Sequence, residues 1–322
     1  MNHVRKLLVT GGAGFIGSSL VDWLISKGYS VRVVDDLSSG KASNLEHWAS
    51  DSRFEMIEGD LKDPDLALRS VEDVEVVFHI AANPDVRLGV TDPRIHFDEN
   101  LLVTLNILEA MRQSKTAKCI VFSSTSTVYG EAAVLPTPEN YGPLLPISIY
   151  GASKLGCEAL IASYCHTFDL KGALLRFANI VGPRSDHGVI VDFVKKLRKN
   201  PSELEILGDG TQKKSYLHVK DLVGAFSIIL DNLAKSEFVE AYNVGSLDQV
   251  TVLRIAEMVS EEMGILKPSY RFANSIDGGR GWKGDVKMMQ LSVEKLMTLG
   301  WRPTLNSENA IRLSCREFLR LS

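Results

Sequence analysis

Three residues of this 322-residue chain have the types and spacing to take a proton from an alcohol. Tyr150 and Lys154 stand four positions apart, so on a helix both side chains lie on one face, one turn from each other. A lysine ammonium beside a phenol favours the phenolate, which makes Tyr150 a candidate general base. Thr125 lies in the hydroxyl-rich run 123–127 and offers a hydroxyl that can hold a substrate alcohol. A packing tyrosine and a solvated lysine would show the same spacing, so the accompanying motifs decide.

The glycines at 11, 14 and 17 predict a dinucleotide site near the start of the chain. They follow an apolar run and open an amphipathic stretch, as in a strand–loop–helix unit. Gly11 allows the tight turn, Gly14 lets the backbone approach a pyrophosphate, and Gly17 lets the helix pack close to the strand. The N-terminus of that helix presents free N–H groups and partial positive charge to the phosphates.

Acidic residues predict that the dinucleotide is NAD. Asp35 ends the second predicted strand, where its carboxylate can accept both ribose hydroxyls and would repel the extra phosphate of NADP. Asp36 doubles the negative charge. The following Ser39, Gly40 and Lys41 could weaken the repulsion of the NADP phosphate. The Lys154 ammonium and the positive nicotinamide ring are then together expected to lower the pKa of Tyr150 from about 10 towards neutrality. Asp60 is placed to meet the adenine amino group, although a carboxylate in a surface turn would look the same.

These residues need a scaffold, and the apolar pattern predicts an α/β fold with a doubly wound parallel sheet of the Rossmann type. Strands are predicted at Val4–Val9, Ser30–Val34, Phe54–Ile57, Val74–Ile80, Cys119–Phe122 and Ala173–Phe177. Helical periodicity is clearest over Asp98–Ser114 and Ile147–Phe168. We expect an NAD-binding domain at 1–178, to which the chain returns at about 217–246. A smaller C-terminal α/β lobe at 179–216 and 247–322 would bind the substrate.

Composition excludes several functional classes. The chain is 45% hydrophobic and 24% charged with a net charge of −4, which disfavours nucleic-acid and membrane-surface binding. No apolar run approaches the roughly 20 residues that span a bilayer. The four cysteines show no C-x-x-C spacing, so neither a disulfide nor a metal site is predicted. With no signal-peptide pattern, we expect a cytoplasmic protein.

Several motifs follow one another in a recognisable order. Beyond the glycine loop they are His79–Ala82, Asn100, Phe122–Gly130, Tyr150–Lys154, Leu175–Asn179 and Ser215–Asp221. In this order the chain resembles the extended short-chain dehydrogenases/reductases, and most closely the UDP-galactose 4-epimerases. The likeness runs from the first loop to the Gly284–Asp285 segment.

The resemblance implies catalytic roles for Tyr150, Lys154 and Thr125, with Lys154 also holding the nicotinamide ribose. It implies NAD contacts from Gly11, Gly14, Phe15, Ile16, Gly17, Asp35, Asp36, Ser39, Gly40, Asp60, Leu61, Ile80, Ala81, Ala82, Asn100, Ser123, Tyr150, Lys154 and Phe177. It implies substrate contacts from Thr125, Ser126, Tyr150, Asn179, Val189, Glu205, Ile206, Leu207, Lys214, Tyr216, Arg280 and Asp285. Ser124 and Ser126 stand in a stretch expected to be extended, where alternate side chains point oppositely, so neither replaces Thr125.

Four features of the sequence, compared with its relatives, bear on the reaction and the substrate. Relatives that act as dehydratases or decarboxylases carry an acid just after the catalytic hydroxyl, where this chain has Ser126 and then Thr127. Lys214 replaces a phosphate-binding arginine and loses its bidentate fork. Trp282 stands where relatives often have an arginine, so Arg280 would reach the diphosphate and Trp282 the base, unless both are structural. Met289 falls near the position that limits sugar size and could leave room for an N-acetyl group.

Together the motifs predict an NAD-dependent epimerase that inverts carbon 4 of UDP-glucose and UDP-galactose. The resemblance implies hydride removal to NAD, rotation of a 4-keto intermediate and hydride return. Two alternatives stay open. The first is an enzyme that epimerises UDP-N-acetylglucosamine, or a related nucleotide-sugar dehydrogenase or reductase. The second is a non-catalytic regulator that binds NAD. A homodimer is expected through the two long helices, on these apolar residues: Leu102, Leu105, Ile107, Leu108, Leu155, Leu160, Ile161 and Tyr164.

Overall fold

The fold is known from a computed structural model that describes residues 6–233, 235, 238–273, 276 and 278–321. The first two residues of the predicted strand Val4–Val9 lie outside these ranges. Within them, no helix has both the length and the apolar character needed to cross a membrane.

The chain alternates strands and helices through most of its length. The strands are β1 Lys6–Thr10, β2 Ser30–Asp35, β3 Phe54–Glu58, β4 Val76–His79, β5 Cys119–Thr125, β6 Lys171–Phe177, β7 Asn179–Val181, β8 Glu203–Leu207, β9 Lys213–Lys214, β10 Tyr216–His218, β11 Val239–Val244, β12 Val250–Thr251, β13 Ser269–Ala273 and β14 Met288–Met289. The helices are α1 Phe15–Ser26, α2 Pro64–Ser70, α3 Leu88–Thr91, α4 Arg94–His96, α5 Val103–Gln113, α6 Ile149–Phe168, α7 Val189–Lys199, α8 Val219–Leu233, α9 Val252–Glu262, α10 Glu294–Thr298 and α11 Ser307–Leu321. A π-helical turn at Phe97–Leu102 precedes α5, and 3-10 turns lie at Ala42–Asn44, Glu46–Trp48 and Ser126–Tyr129.

The first of two compact units contains the predicted sheet. It comprises the described residues up to Thr125, together with Ile149–Arg176 and Phe226–Tyr242. Its seven strands lie in the order β11-β6-β5-β4-β1-β2-β3. The pairs β3–β2, β2–β1, β1–β4 and β4–β5 are parallel. The strand order reverses direction between β1 and β4, which confirms the doubly wound Rossmann-type fold and marks the edge where such sheets bind ligands.

The core of the first unit explains why its strands are continuously apolar. Residues of β1 and β4 such as Leu8 and Val77 are fully buried, because helices cover both sheet faces. Ile107, Leu108 and Ile161, from α5 and α6, lie in the same core at 0% exposure. These three residues were expected on a dimer face, and that placement is wrong because they pack inward. The other five residues of that set are half-buried.

The second unit comprises Ser126–Ser148, Phe177–Ala225 and the described residues from Asn243 onward. Its division from the first unit differs from the predicted one, since 126–148 joins the second unit and the returning segment is Phe226–Tyr242. The unit holds the parallel pair β13–β8 and the three-stranded sheet β12-β9-β14. Helices α7, α9 and α11 supply its apolar core, with Phe193, Ile255 and Ile311 all buried.

Candidate active site

The catalytic residues predicted from sequence meet where β5 ends and α6 begins. Strand β5 runs three residues past its predicted end, so Thr125 is its last residue, and Tyr150 lies in the first turn of α6. The hydroxyl groups of Tyr150 and Thr125 are hydrogen-bonded. The Lys154 ammonium, one turn further on, donates to the carbonyl oxygen of Ser123 at 2.7 Å. It also lies 4.5 Å from the ring centroid of Phe122, a cation–π contact that sequence reasoning missed.

Burial shifts the pKa values of both Tyr150 and Lys154. It raises the pKa of Tyr150 to about 12, and the hydrogen bond from Thr125 only partly opposes it. This effect opposes the lowering expected from Lys154 and the nicotinamide ring together, because desolvation disfavours the phenolate. Burial also lowers the pKa of Lys154 to about 8. In the chain alone Tyr150 is therefore a neutral phenol at neutral pH.

The hydroxyl-rich stretch divides into separate roles. Ser123 Oγ donates to the carbonyl of His79 at 3.1 Å. Ser124 Oγ donates to Glu158 Oε1 at 2.5 Å and so does not replace Thr125, as expected. Ser126 does not continue the strand but begins the 3-10 turn Ser126–Tyr129, so the expected alternation stops at Thr125.

Glu158 and Arg176 form a buried ion pair beside these residues that the sequence analysis did not identify. Arg176 Nη2 lies 2.7 Å from Glu158 Oε2, and the two side chains are 7% and 4% exposed. A partial signal was present, because Glu158 follows Lys154 at the same four-residue spacing as Lys154 follows Tyr150. That spacing places Glu158 on the helix face of the catalytic pair but does not identify Arg176 as its partner.

The glycine loop has the geometry that a pyrophosphate requires. Gly11 has φ +65, and a methyl group on it would lie 2.8 Å from the backbone of Ala81. A methyl group on Gly17 would lie 2.1 Å from the carbonyl oxygen of Gly11, so the helix can approach the loop only through a glycine. Gly14 caps α1 without any side-chain hydrogen bond and leaves the first N–H groups for a ligand. Phe15 and Ile16 form the first turn of that helix.

Asp35 is held ready to accept further hydrogen bonds. Its carboxylate accepts from the backbone N–H of Ala13 at 2.8 Å and of Leu37 at 2.9 Å. Burial raises the pKa of this carboxyl, against the lowering effect of these N–H groups. A methyl group on Gly40 would lie 2.6 Å from Asp35 Oδ1, so the glycine keeps the loop close to the carboxylate. Asp36 is exposed and accepts from its neighbour Ser38 at 2.6 Å.

The residues at the end of β4 contact Thr10, just before the glycine loop. Thr10 Oγ1 accepts from the backbone N–H groups of Ile80 and Ala81 at 3.1 and 3.2 Å and lies 2.8 Å from His79 Nδ1. Burial lowers the pKa of His79 to about 3, so this histidine is neutral. Asn100 Oδ1 accepts from Asn83 N at 2.8 Å.

The remaining predicted cofactor residues differ in exposure. Asp60 is exposed beside Lys62 at 3.2 Å, and Leu61 is buried. Ser39 is exposed, Ala82 is half-buried, and Phe177 is buried in the second unit.

In the second unit, the two cations predicted for the diphosphate are already paired. Lys214 Nζ lies 2.6 Å from Asp285 Oδ1. Arg280 Nη2 lies 2.7 Å from Glu131 Oε1, and its Nε donates to the carbonyl of Asp285 at 3.0 Å. The Lys214 ammonium is 5.7 Å from the ring centroid of Trp282. The buried indole N–H of Trp282 finds no acceptor within the described ranges.

The other predicted substrate residues occupy mixed positions in the same unit. Ile206 and Tyr216 lie in its hydrophobic core. Glu205 pairs with Arg271, and Val189 opens α7. Asn179 is half-buried, as is Leu207, the last residue of β8. Among the residues that the structure describes, no group of histidine, cysteine or acidic side chains could hold a metal ion.

Comparison with known proteins identifies a family and related enzymes. A profile of the NAD-dependent epimerase/dehydratase family matches residues 7–245. A UDP-glucose 4-epimerase from Mycolicibacterium smegmatis is 38% identical over 226 residues, which cover 69% of this chain and 72% of that protein.

Solved structures agree along nearly the whole chain. A UDP-galactose 4-epimerase is 44% identical with a TM-score of 0.88, covering 98% of this chain and 99% of its own. The UDP-glucose 4-epimerase of Thermotoga maritima with UDP-glucose is 34% identical with a TM-score of 0.86, again covering 98% and 99%.

Proposed function

The chain belongs to the NAD-dependent epimerase/dehydratase family, and on that premise we propose that it is an NAD-dependent 4-epimerase of UDP-hexoses, UDP-glucose and UDP-galactose. The observation that carries the proposal is the hydrogen bond between Tyr150 and Thr125, with the Lys154 ammonium one turn away. This set suits removal of a proton from a sugar hydroxyl. A protein that only sensed NAD would need the glycine loop and Asp35 but none of these three residues.

Each of the three residues has one task in the reaction. Thr125 holds the hydroxyl at carbon 4 of the sugar, and Tyr150 takes its proton. NAD bound by the glycine loop and Asp35 would supply a reversible hydride acceptor for carbon 4. Lys154 keeps a positive charge beside the phenolate until Tyr150 gives the proton back. The reaction has no net redox change.

The residues after Thr125 favour epimerisation over elimination. Elimination or decarboxylation in this family uses a further carboxyl just after the catalytic hydroxyl. Here Ser126 and Thr127 follow the catalytic hydroxyl, and both lie in the 3-10 turn Ser126–Tyr129. Neither side chain can donate and recover a proton at neutral pH as a carboxyl does.

Residues of the second unit are proposed to hold the UDP. Lys214 offers a cation and the indole N–H of Trp282 offers a donor, while Asp285 offers an acceptor for ribose. Lys214 would then share its charge between Asp285 and a phosphate. Met289 is buried, and its unbranched, flexible side chain could leave room for an N-acetyl group. UDP-N-acetylglucosamine is therefore the second candidate substrate.

A homodimer and a cytoplasmic location complete the proposal. The half-buried residues Leu102 and Leu105 of the π-turn and α5, with Leu155, Leu160 and Tyr164 of α6, support a twofold contact of four helices. A reducing compartment suits the four free cysteines, three of which are buried. Light scattering at micromolar concentration tests the dimer, and a monomer would contradict it.

One assay separates the candidate functions. The purified protein is given UDP-galactose without added cofactor, and formation of UDP-glucose is followed. Conversion is expected, with NAD(H) released on denaturation, because the reaction regenerates its cofactor. Tyr150→Phe and Thr125→Val should retain NAD(H) but convert slowly. Accumulation of NADH would indicate a dehydrogenase, and bound NAD without conversion of plain or N-acetylated sugars would indicate a regulator.

A further inference from the structure

Three buried polar side chains join β5, α6 and β6 one turn beyond Lys154. Glu158 and Arg176 are 3% and 6% exposed, and Ser124 is 2% exposed. The Arg176 guanidinium donates two hydrogen bonds to the Glu158 carboxylate, from Nη2 to Oε2 at 2.7 Å and from Nε to Oε1 at 3.0 Å. Ser124 Oγ adds a third hydrogen bond to the same carboxylate at 2.5 Å. The Glu158 carboxylate is thus held from two different strands.

Stability alone does not account for this arrangement. Taking two charges out of water costs several kcal/mol, and well-packed apolar residues often hold a core equally well. The location offers a better reason. Ser124 stands between Ser123, whose carbonyl accepts from Lys154, and Thr125, whose hydroxyl bonds to Tyr150. Fixing Ser124 against α6 therefore fixes both of those contacts.

We propose that Glu158 is a positioning residue for the Tyr150–Lys154 pair. Through Ser124 it holds the end of β5 in register with α6. Its negative charge, one helical turn from Lys154, favours the ammonium form of that lysine, and Arg176 keeps the carboxylate in place. The inference rests on the proposed function, since it explains how an epimerase keeps a buried lysine charged.

The charges around Lys154 are consistent with this role. Burial lowers its pKa to about 8, and Cys157 and Glu158 act in the opposite direction. His79 of β4 is neutral because burial lowers its pKa to about 3. The titratable or charged groups near the ammonium are Tyr150, Cys157 and Glu158 of α6, His79 of β4, and Arg176 of β6 behind Glu158. Cys157 and Glu158 of the same helix are thus the groups in this set that oppose burial, and Glu158 is fixed in an ion pair with Arg176.

Glu158→Gln tests the proposal because it keeps the side-chain shape and removes the charge. Once the wild-type enzyme is found to convert UDP-galactose, kcat of the variant should fall about tenfold with KM little changed. The alkaline limb of its pH–rate profile should move to lower pH by about one unit. Both the loss of the Glu158 carboxylate and the remaining positive charge of Arg176 disfavour the ammonium, so the two effects have the same sign.

A control removes another carboxylate–guanidinium pair, which is more exposed to solvent. Arg316 holds Glu262 in the second unit with Nε–Oε2 at 2.7 Å and Nη2–Oε1 at 2.8 Å. Glu262→Gln should therefore leave the pH–rate profile in place. A folded Glu158→Gln enzyme with wild-type kcat and an unmoved alkaline limb would overturn the inference. If the wild-type enzyme shows no turnover, the proposed function has failed instead.

Ser124→Ala keeps both charges and covers the case in which Glu158→Gln does not fold. It should lower kcat about threefold, the scale of one weakened hydrogen bond, with the alkaline limb unmoved. Ser314→Ala is its control, since Ser314 is 1% exposed and its hydroxyl donates to Ala310 O at 2.8 Å in the second unit. Equal kcat in wild type, Ser124→Ala and Ser314→Ala would also overturn the inference.

Discussion

The oxidation state of the cofactor should control the ionisation of Tyr150. In the chain alone, burial raises the pKa of this phenol to about 12. A unit positive charge about 4 Å away contributes about 4 kcal/mol at an effective dielectric constant of about 20. At 1.36 kcal/mol per unit this is about three pKa units. We therefore expect the pKa of Tyr150 to be about 9 with NAD⁺ and about 12 with NADH, whose nicotinamide ring is neutral.

Ultraviolet difference titration measures this shift directly. The tyrosinate absorbance of Tyr150→Phe is subtracted from that of wild type, first with NAD⁺ and then with NADH bound. Linkage gives a second readout, because a pKa lowered on binding makes NAD⁺ bind more tightly as pH rises above about 9. That rise should be missing in Tyr150→Phe and for NADH. The same Tyr150 titration with both cofactors would refute the electrostatic reasoning.

Three further outcomes are expected. Tyr150→Phe should lower turnover about a hundredfold or more while keeping bound NAD(H), and near-wild-type turnover would mean that another base acts. Gly17→Ala places a methyl group 2.1 Å from the Gly11 carbonyl and should abolish NAD(H) binding. In Gly224→Ala the nearest contact is an ordinary 3.6 Å, so nucleotide release on denaturation should match wild type; equal content in both variants would contradict this. Met289→Tyr should reduce conversion of UDP-N-acetylglucosamine more than that of UDP-glucose, and equal losses would exclude Met289 as the size limit.

The sequence by itself was sufficient where function depends on neighbours along the chain. The glycines at 11, 14 and 17 and the Tyr150–Lys154 spacing lie within one or two helical turns, so local geometry predicts their arrangement. The strands were predictable for a similar reason, since a parallel sheet covered on both faces needs continuous apolar runs such as 7–9.

Contacts between distant segments were decided only by the tertiary structure. Glu158 meets Arg176 and Ser124 from three different elements, and no spacing predicts that meeting. Apolar residues also do not reveal which neighbour covers them, so Ile107 was expected at a dimer face and lies in the core.

The sign of the Tyr150 pKa shift also required the fold. Sequence supplied two neighbouring cations, Lys154 and the nicotinamide ring, and hence an expected lowering. It did not show that burial acts in the opposite direction and raises the pKa to about 12 in the chain alone. Chemical type and local spacing are properties of the sequence. Desolvation depends on everything packed around a group, and that packing exists only in the folded chain.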